Sequence, residues 1–200
     1  MFSIFLFIIA AYLVGSIPTG VIVGRLQGFD PRAVGSGNIG MTNVARAGGG
    51  RAAAITFVGD ILKGAIPPAV AAGGGFSPAV VAVVAIAAFI GSICSVFLGF
   101  KGGKGVSAAL GIWVVISPLT LLFALAAFGI VLAVSRIMSL ASIAAAITLV
   151  PAAAAMGLPR PYVLLAIAMT ALVLFRHVEN IGRLRRGEEP RIGAKKKRPA

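Results

Sequence analysis

Long apolar runs separated by short polar stretches are the main pattern of the chain. A helix that spans a membrane needs about 20 mostly apolar residues. The pattern predicts an all-α, polytopic membrane helix bundle with about seven transmembrane segments, of which the fourth is short. A variant with five or six spans is the alternative. The predicted segments cover residues 2–23, 52–72, 77–98, 105–116, 118–134, 137–156 and 161–175.

Two of these runs contain residues that interrupt a helix or are costly in lipid. Residues 106–134 carry no charge, but Pro118 lacks an N–H and disfavours helix at Ser117, so we divide the run there. Asp60 and Lys63 interrupt the second run. Ionisable groups inside a membrane helix are candidate functional groups, and a simple ion pair between residues three apart is the alternative.

Composition agrees with a membrane protein. The 200 residues are 59% hydrophobic and 12% charged, whereas soluble domains average about 45–50% apolar and about 25% charged residues. We expect a single domain over residues 1–200. The first run is longer than the roughly 7–15 residues of a signal-peptide core, so we predict that it is retained. Cys94 is the only cysteine, which excludes an intrachain disulfide.

The distribution of charge predicts the orientation. The net charge is +13, and positive residues collect in cytoplasmic loops of membrane proteins. Because no nucleic-acid motif accompanies the charge, we do not expect nucleic acid as a partner. With seven segments the basic loops fall on one face, which predicts an external N-terminus and a cytoplasmic C-terminus. The basic tail, about residues 183–200, is expected to contact anionic membrane lipids.

Two glycine-rich stretches are candidate anion-binding sites. The first, "GSGNIGMTNVARAGG" at 35–49, combines glycine with hydroxyl, amide and guanidinium groups. Glycine lets several N–H groups point at one place, and an arginine can bind a phosphate through two parallel hydrogen bonds. A flexible polar loop is the alternative. The candidate ligands are Ser36, Gly37, Asn38, Thr42, Asn43 and Arg46.

The second stretch, "FKGGKG" at 100–105, leads into the fourth predicted helix. A helix N-terminus favours anions, and the lysines add positive charge. The stretch is not a Walker P-loop, because Lys104 is followed by glycine and no strand precedes it. A turn with two ordinary cytoplasmic lysines is the alternative. The candidate ligands are Lys101, Gly102, Gly103, Lys104 and Gly105.

Further polar residues lie at the same predicted face. His177, the only histidine, shares a helical face with Asn180, and it could orient a substrate, act as a general base or be a plain interfacial residue. Ser139 and Ser142 begin the sixth segment, where they could cap the helix or bond a neighbouring helix, and Ser142 is also a candidate substrate ligand. Together these groups indicate phosphate chemistry on a lipid precursor.

These stretches, with "DILKG" at 60–64, "FLGFKGGKGVSAALG" at 97–111, "SLASI" at 139–143 and "RHVENIGRLRRGEE" at 176–189, resemble the bacterial acyl-phosphate:glycerol-3-phosphate acyltransferases. The resemblance implies a multi-pass enzyme of the bacterial inner membrane with a cytoplasmic active site. It implies acyl transfer from acyl phosphate to the 1-hydroxyl of glycerol 3-phosphate, giving lysophosphatidate and phosphate in phospholipid biosynthesis. It implies no cofactor, metal, coenzyme A or acyl-carrier protein as a direct requirement.

The resemblance also suggests roles for the candidate residues. We assign the donor phosphate to residues 102–105 with help from 35–38. Glycerol 3-phosphate is assigned to Arg46, Lys104, Ser142, His177 and Asn180. The base is either His177 or the donor's own phosphate. A transporter or lipid-binding protein for phosphorylated compounds is the alternative, although transporters place their polar groups near the bilayer midplane.

The chain departs from the family pattern just before "FKGGKG". Family members usually have Gly-His, two residues and then Pro, whereas Ser92 and Ser95 stand at the His and Pro positions here. Met41 also replaces the usual Ala. We interpret the missing histidine as structural, because both glycine-rich stretches and His177 are present.

Overall fold

The computed structural model describes residues 2–193, and within this range the regular elements are helices, with no strand. Met1 and residues 194–200 lie outside the described residues, and with them the last part of the predicted basic tail. Two one-turn 3-10 helices, Pro31–Ala33 and Val96–Leu98, lie in loops. The nine α-helices of the described range are α1 Phe2–Ser16, α2 Thr19–Leu26, α3 Met41–Gly73, α4 Pro78–Ile93, α5 Val106–Ile116, α6 Pro118–Ser135, α7 Met138–Ala155, α8 Arg160–Arg176 and α9 Val178–Arg185.

Every predicted segment contains a helix, which confirms the all-α prediction. By length and hydropathy, α3, α4 with the turn that follows it, α6 and α7 can each cross a membrane. The bent pairs α1–α2 and α8–α9 raise the number to six if each pair is one span. The 11-residue α5 is shorter, as predicted for the fourth segment. The number of spans and the sides of the termini stay predictions.

The first predicted segment was wrong in one respect, since residues 2–23 are not one continuous helix. The chain bends by 43° between α1 and α2. Pro18 lies at this bend, and a proline removes a backbone donor and clashes with the preceding turn. The break therefore has the same cause as the correctly predicted division at Pro118.

Two further helix boundaries differ from the prediction. Residues 41–48 are helical and begin α3, which kinks at Gly49, where φ is 81°. The segment predicted over 77–98 leaves the α-helix after Ile93. There the Ser92 carbonyl accepts the Gly103 N–H at 3.0 Å, and the Cys94 carbonyl accepts the Tyr12 hydroxyl at 2.9 Å. Tertiary hydrogen bonds thus replace those of a longer helix.

Helix α4 lies at the centre of the bundle, where it contacts α1, α3 and α8. Glycines permit the closest helix contacts: a Cβ at Gly91 would clash with the Tyr12 carbonyl, and one at Gly111 with the Ile61 carbonyl. Small residues serve this purpose in lipid, where apolar burial cannot drive helix association. A buried cluster that includes Phe89, Trp113 and Met169 fills the space between α4, α5 and α8. This core supports the loop that precedes α5.

Candidate active site

The loop of residues 99–105 is held from two sides. Its Gly103 N–H donates to the Ser92 carbonyl at the end of α4. From α8, Arg176 donates to the Gly103 carbonyl through Nε at 3.1 Å and to the Gly102 carbonyl through Nη2 at 2.9 Å. Gly105, with φ of 78°, turns the chain into α5. These contacts within the protein fix the shape of the loop.

Glycine is required where this loop passes α4. An added Cβ at Gly102 would lie 2.6 Å from the Ile93 carbonyl oxygen and 2.7 Å from that of Ser92. Among the described residues, the N–H groups of Gly102, Lys104 and Gly105 have no hydrogen-bond partner. These three can receive an anion. The predicted contribution of the Gly103 N–H was wrong, because that group is already bonded within the protein.

The first glycine-rich stretch is shaped by a side chain of α3. The two N–H groups of the Asn43 amide nitrogen are shared among the carbonyls of Pro31, Val34 and Asn38, whose oxygens lie 2.6, 2.9 and 2.9 Å from that nitrogen. Its oxygen accepts the Ser36 N–H at 3.0 Å. Asn43 is buried, and its amide is used to hold the loop. Its expected role as a ligand contact is therefore replaced by a scaffolding role.

Three other predicted ligands of this stretch lie at the surface of the loop. Ser36 and Arg46 are exposed, and Thr42 is partly exposed at the first turn of α3. Arg46 packs over the loop, since a Cβ at Gly35 would lie 3.4 Å from Arg46 Cδ. Asn38 instead turns its oxygen back to the Gly40 N–H at 3.0 Å. The loop thus exposes a hydroxyl and a guanidinium beside its glycines.

A cavity of about 250 Å³ lies between the two glycine-rich loops. Its lining combines the cationic Lys101 and Arg32 with the apolar Ile39 and Leu98, and Gly37 and Gly102 complete it. The Arg32 guanidinium also contacts Asp30 at 2.7 Å. Hydrogen bonds from Arg32 lower the pKa of Asp30 to about 2. The cavity, which we call the interloop cavity, is suited to an anion with an apolar chain attached.

A second polar cluster lies on the other side of loop 99–105 and is centred on Glu189. The Glu189 carboxylate accepts hydrogen bonds from Ser139 Oγ at 2.7 Å, Asn180 Nδ2 at 2.5 Å and Arg183 Nε at 2.7 Å. The side chain of Glu189 is only 7% exposed. Lys104 Nζ donates to Asn180 Oδ1. Glu189 therefore orients the Asn180 amide so that its oxygen faces Lys104.

The charges of this cluster are shifted by their surroundings. Burial lowers the pKa of Lys104 below its usual range. Burial would raise the pKa of Glu189, but the hydrogen bonds from Ser139, Asn180 and Arg183 outweigh it, and the pKa is lowered. A lysine that gives up hydration gains more from an approaching anion than a solvated lysine does. The cluster thus has the electrostatics of an anion site.

His177 lies at the junction of α8 and α9 and is 2% exposed. Its Nδ1 is 2.8 Å from the Val173 carbonyl oxygen. Because a carbonyl can only accept, Nδ1 carries the proton in the neutral ring and Nε2 is an acceptor. Burial lowers the pKa of His177 to about 4 despite the opposing effect of the Val173 hydrogen bond, and the charge of Lys104 acts in the same direction as burial.

The family model for glycerol-3-phosphate acyltransferase matches residues 5–187 of this chain. The chain belongs to this family. The family resemblance drawn from the motifs is confirmed, and the protein is an acyltransferase of the membrane, which decides against the transporter and lipid-binding alternatives.

Relatives of this acyltransferase cover nearly its whole length. It is 45% identical to the glycerol-3-phosphate acyltransferase of Geobacter sulfurreducens over 92% of this chain and 95% of that protein. It is 48% identical to that of Thioalkalivibrio sulfidiphilus over 95% and 94% of the two chains.

Solved structures of an integral membrane glycerol 3-phosphate acyltransferase, PlsY (YgiH), share the fold. Its glycerol 3-phosphate form matches with a TM-score of 0.92 and 41% identity over 96% of both chains. Its lysphosphatidic acid form matches with a TM-score of 0.90 and 40% identity, also over 96% of both chains.

Ser142 of the acyltransferase does not join the Glu189 cluster. Its hydroxyl donates to the Met138 carbonyl of its own helix at 2.9 Å, whereas Ser139 points to Glu189. The two serines that depart from the family pattern also bond locally: Ser92 Oγ donates to the Phe89 carbonyl at 2.7 Å and Ser95 Oγ to the Ser16 carbonyl at 2.5 Å. Their contacts fit the structural interpretation of this departure.

Sequence reasoning did not assign several residues of the site. They contribute a carboxylate, three guanidinium groups and a hydroxyl. A signal was available for Glu189, because the chain has only five acidic residues against 18 basic ones, so an acid within a matched motif is informative. The residues left out of the predicted site are Arg32, Ser139, Arg176, Arg183 and Glu189. Arg183 was predicted to belong to the lipid-contacting tail, whereas its guanidinium binds Glu189.

Proposed function

We propose that this acyltransferase transfers a fatty acyl group from acyl phosphate to the 1-hydroxyl of glycerol 3-phosphate. The products are lysophosphatidate and inorganic phosphate, and the reaction takes place at the cytoplasmic face of the bacterial inner membrane. The relatives are glycerol-3-phosphate acyltransferases, and one of the solved structures is a glycerol 3-phosphate form and the other a lysphosphatidic acid form. These relatives support glycerol 3-phosphate as the acceptor.

One observation carries the proposal: two clusters of cationic and polar groups, each a candidate place for an anion, share the loop of residues 99–105. Lys101 and Gly102 line the interloop cavity, and Lys104 contacts Asn180 in the Glu189 cluster. A reaction between two phosphate-bearing substrates needs two such places next to each other, so that the hydroxyl of one meets the carbonyl of the other.

The interloop cavity is the better place for the acyl phosphate. Its cationic Arg32 and Lys101 suit a phosphate, and its apolar Ile39 and Leu98 suit the first methylenes of an acyl chain. Phe97 and Phe100 beside it are 57% and 62% exposed, which favours a route to the lipid phase for the remainder of the chain. The free N–H groups of Gly102, Lys104 and Gly105 then surround the reacting carbonyl and phosphate.

The Glu189 cluster is the better place for glycerol 3-phosphate. Lys104 and Asn180 would bind its phosphate, with Arg46 as a further cation. Ser142 Oγ donates to the Met138 carbonyl, so it would have to leave that bond to join them. His177 Nε2, an acceptor in the neutral ring, would accept a hydrogen bond from the 2-hydroxyl and so orient the glycerol. Fixed orientation of two reactants can contribute roughly 7–11 kcal/mol in favourable cases.

The chemistry needs no covalent enzyme intermediate, because an acyl phosphate is a mixed anhydride with a good leaving group. The 1-hydroxyl oxygen attacks the acyl carbonyl carbon and forms the ester bond. The bond from that carbon to the phosphate oxygen breaks, and the phosphate takes its electron pair. The hydroxyl proton passes to the departing phosphate. Fixed positive charges and N–H groups stabilise the developing negative charge.

We assign the base to the donor phosphate rather than to His177. An efficient general base has a pKa near the working pH, and the pKa of His177 is lowered to about 4 by burial. The phosphate, in contrast, lies at the reacting carbon in any productive complex.

The test is a reconstitution with purified full-length protein, palmitoyl phosphate and glycerol 3-phosphate. Phosphate and lysophosphatidate should be formed in equal amounts, and neither should be formed when one substrate is left out. Palmitoyl-coenzyme A in place of palmitoyl phosphate is the matched donor control and should give no product. Product from the thioester alone would refute the assignment of the donor.

A further inference from the structure

Asp60 and Lys63 form a buried ion pair inside α3 that the proposed reaction does not use. Lys63 Nζ lies 2.8 Å from Asp60 Oδ1, and their side chains are 7% and 14% exposed. Lys63 Nζ also donates to the Ile17 carbonyl at 3.0 Å, and Thr19 Oγ1 donates to Asp60 Oδ1. The ion pair therefore contacts the chain on both sides of Pro18, through Ile17 and Thr19, where α1 ends and α2 begins.

This contact reinforces the helix break. Pro18 has no N–H, and the Ile17 carbonyl accepts the Thr19 N–H at 3.0 Å within the break instead of an α-helical hydrogen bond. Backbone carbonyls in a membrane protein take their donors from the protein itself, and a carbonyl oxygen can accept a second one. Lys63 provides a charged donor to that carbonyl, while Asp60 neutralises the lysine and accepts from Thr19.

The same stretch of α3 touches the supports of both glycine-rich loops. On one side, a Cβ at Gly59 would lie 2.9 Å from Thr19 Cγ2 of α2. On the other side, a Cβ at Gly64 would clash with the Ala108 carbonyl of α5. Helix α5 begins directly after the loop of residues 99–105. Residues 59–64 thus fix α2 and α5 relative to each other.

Helix α2 in turn supports the first loop. A Cβ at Gly20 would clash with the Ile39 carbonyl, and Ile39 lines the interloop cavity. A path of direct contacts therefore leads from Lys63 through the α1–α2 break to one wall of the cavity. A second path leads through Gly64 and α5 to the opposite wall, which Lys101 and Gly102 form.

We infer that Asp60 and Lys63 are positioning residues that set the width of the interloop cavity by holding the α1–α2 break against α3. Neither residue lines the cavity, so the pair acts through α2 and α5. The consequence for catalysis rests on the proposed binding of the acyl phosphate there. The alternative is an ion pair that only neutralises its own charges, in which case an uncharged replacement of similar shape leaves function intact.

The test compares the full-length wild type with the uncharged variant Asp60→Asn/Lys63→Met in detergent micelles. We expect the KM for palmitoyl phosphate to rise at least about tenfold, because the walls of the cavity that would bind it are displaced; a tenfold change corresponds to about 1.4 kcal/mol of lost binding. The KM for glycerol 3-phosphate should change less than about threefold, because the Glu189 cluster does not contact this pair. The exposed pair Arg186–Glu188, replaced by Arg186→Met/Glu188→Gln, is the matched control and should change neither KM.

Hydrogen exchange gives a readout that does not depend on the identity of the donor. Amide exchange reports local opening of the structure. In the uncharged variant, residues 34–40 should exchange faster, with α8 and α9 unchanged. A folded variant with wild-type exchange at 34–40 and wild-type KM values would overturn the inference, and so would equal losses on both substrates. If wild type fails to use acyl phosphate, the proposed function fails while the exchange result still tests the positioning role.

A second variant covers the case in which the uncharged protein does not fold. Lys63→Arg keeps the charge and the pair with Asp60, but it replaces the ammonium by a longer planar group and so alters the contact with the Ile17 carbonyl. It should raise the KM for palmitoyl phosphate selectively and speed exchange at 34–40. An unchanged donor KM together with unchanged exchange would again overturn the inference.

Discussion

Lys101 and Lys104 lie three residues apart in one loop but in different surroundings. Lys104 is partly buried and bonded to Asn180, whereas Lys101 is exposed at the rim of the interloop cavity. We expect Lys104→Ala to cost about 2–5 kcal/mol of transition-state stabilisation, as loss of a buried charged contact does. Lys101→Ala should cost less than about 1 kcal/mol, as for an exposed charge pair. Steady-state kinetics of the two variants measure the difference.

The melting temperatures of both lysine variants serve as the control, because neither side chain supports the core. Equal and mild losses of activity would show that both lysines act only as positive charges that orient the protein in the membrane. A drop in activity that follows a drop in melting temperature would argue for a structural role of Lys104.

His177 gives a prediction about pH dependence. Its pKa is lowered to about 4, so the ring stays neutral until the pH falls toward that value. Protonation of His177 should therefore cause no loss of rate between about pH 7 and pH 5.5, although an unperturbed histidine would protonate near pH 6.5. Because the substrate phosphates themselves titrate near pH 6, the profile is compared with that of His177→Gln, and the two should have the same acid limb. Because the unfolded chain binds the proton first, stability should fall as the pH is lowered from about 6.5 toward 4. An acid limb near pH 6.5 that is present in the wild type and absent in His177→Gln would contradict the shift.

Substitution of His177 separates orientation from base catalysis. His177→Gln keeps an acceptor oxygen but cannot take up a proton, so it should retain substantial rate, while His177→Ala should lose more. A base role would instead remove roughly 10²–10⁴-fold in both variants. Binding of glycerol 3-phosphate, measured by calorimetry, checks that the acceptor still binds in each case.

At the scale of single residues, the motifs predicted which residue types lie near the site. They did not predict which way the side chains and N–H groups of those residues point. The sequence indicated that Asn43, Ser142 and Gly103 are polar or glycine positions near a site, yet each is bonded within the protein. Which way an amide or hydroxyl points depends on backbone groups brought close by tertiary structure. Arg32 and Glu189 were missed for the same reason, since only the fold brings Arg32 opposite Lys101 and Glu189 beside Asn180.

At the scale of the elements, glycine contacts between helices lead to a stability prediction. A Cβ at Gly64 or Gly111 would clash with the backbone across the α3–α5 contact. Gly64→Ala and Gly111→Ala should each destabilise the protein by about 1–3 kcal/mol, as overpacking does. Gly129→Ala in α6 is the matched control, because its Cβ would meet nothing within 4 Å. Thermal melting in detergent measures all three.

The change in stability of the control variant Gly129→Ala can also be predicted. Since alanine is about 1 kcal/mol better than glycine within a helix, Gly129→Ala should be neutral or slightly stabilising. Destabilisation of Gly129→Ala equal to that of the other two would indicate a general intolerance of the bundle rather than a close α3–α5 contact.

Element boundaries were predictable where local chemistry decides them. Pro118 was correctly used to divide α5 from α6, and the same argument applied to Pro18 gives the α1–α2 break. The end of α4 was not predictable, because the Ser92 carbonyl accepts a hydrogen bond from the Gly103 N–H and the Cys94 carbonyl accepts one from the Tyr12 hydroxyl. These partners are 11 and 82 residues away, so no local pattern contains them.

At the scale of the whole molecule, the basic segments meet on one face. Asn180 of α9 contacts Lys104, and the Ile192 N–H donates to the Arg136 carbonyl at 2.8 Å. Arg32 and Lys101 line one cavity. The first loop, the 99–105 loop, the α6–α7 corner and the described part of the tail therefore lie together, as the charge pattern requires.

The opposite face is marked by the turn between α3 and α4. Phe76 in this turn contacts Phe7 of α1, with ring centroids 6.1 Å apart. The beginning of α1 therefore lies at the level of that turn, while the end of α1 lies near α4's last residues, where Ser95 bonds the Ser16 carbonyl. This arrangement puts the beginning of α1 and the basic face at opposite ends of the bundle.

We therefore expect the two ends of the protein on different sides of the membrane. A reporter fused after Ala200 should be active in the cytoplasm, and one fused before Met1 should be active outside, because the positive face is retained inside. A fusion in the α3–α4 turn, after Gly75, is the internal control and should agree with the N-terminal fusion. If both terminal reporters are active on the same side, the seven-segment topology is refuted. Either α1–α2 then does not cross the membrane, or α5 and a neighbouring helix together form a single span.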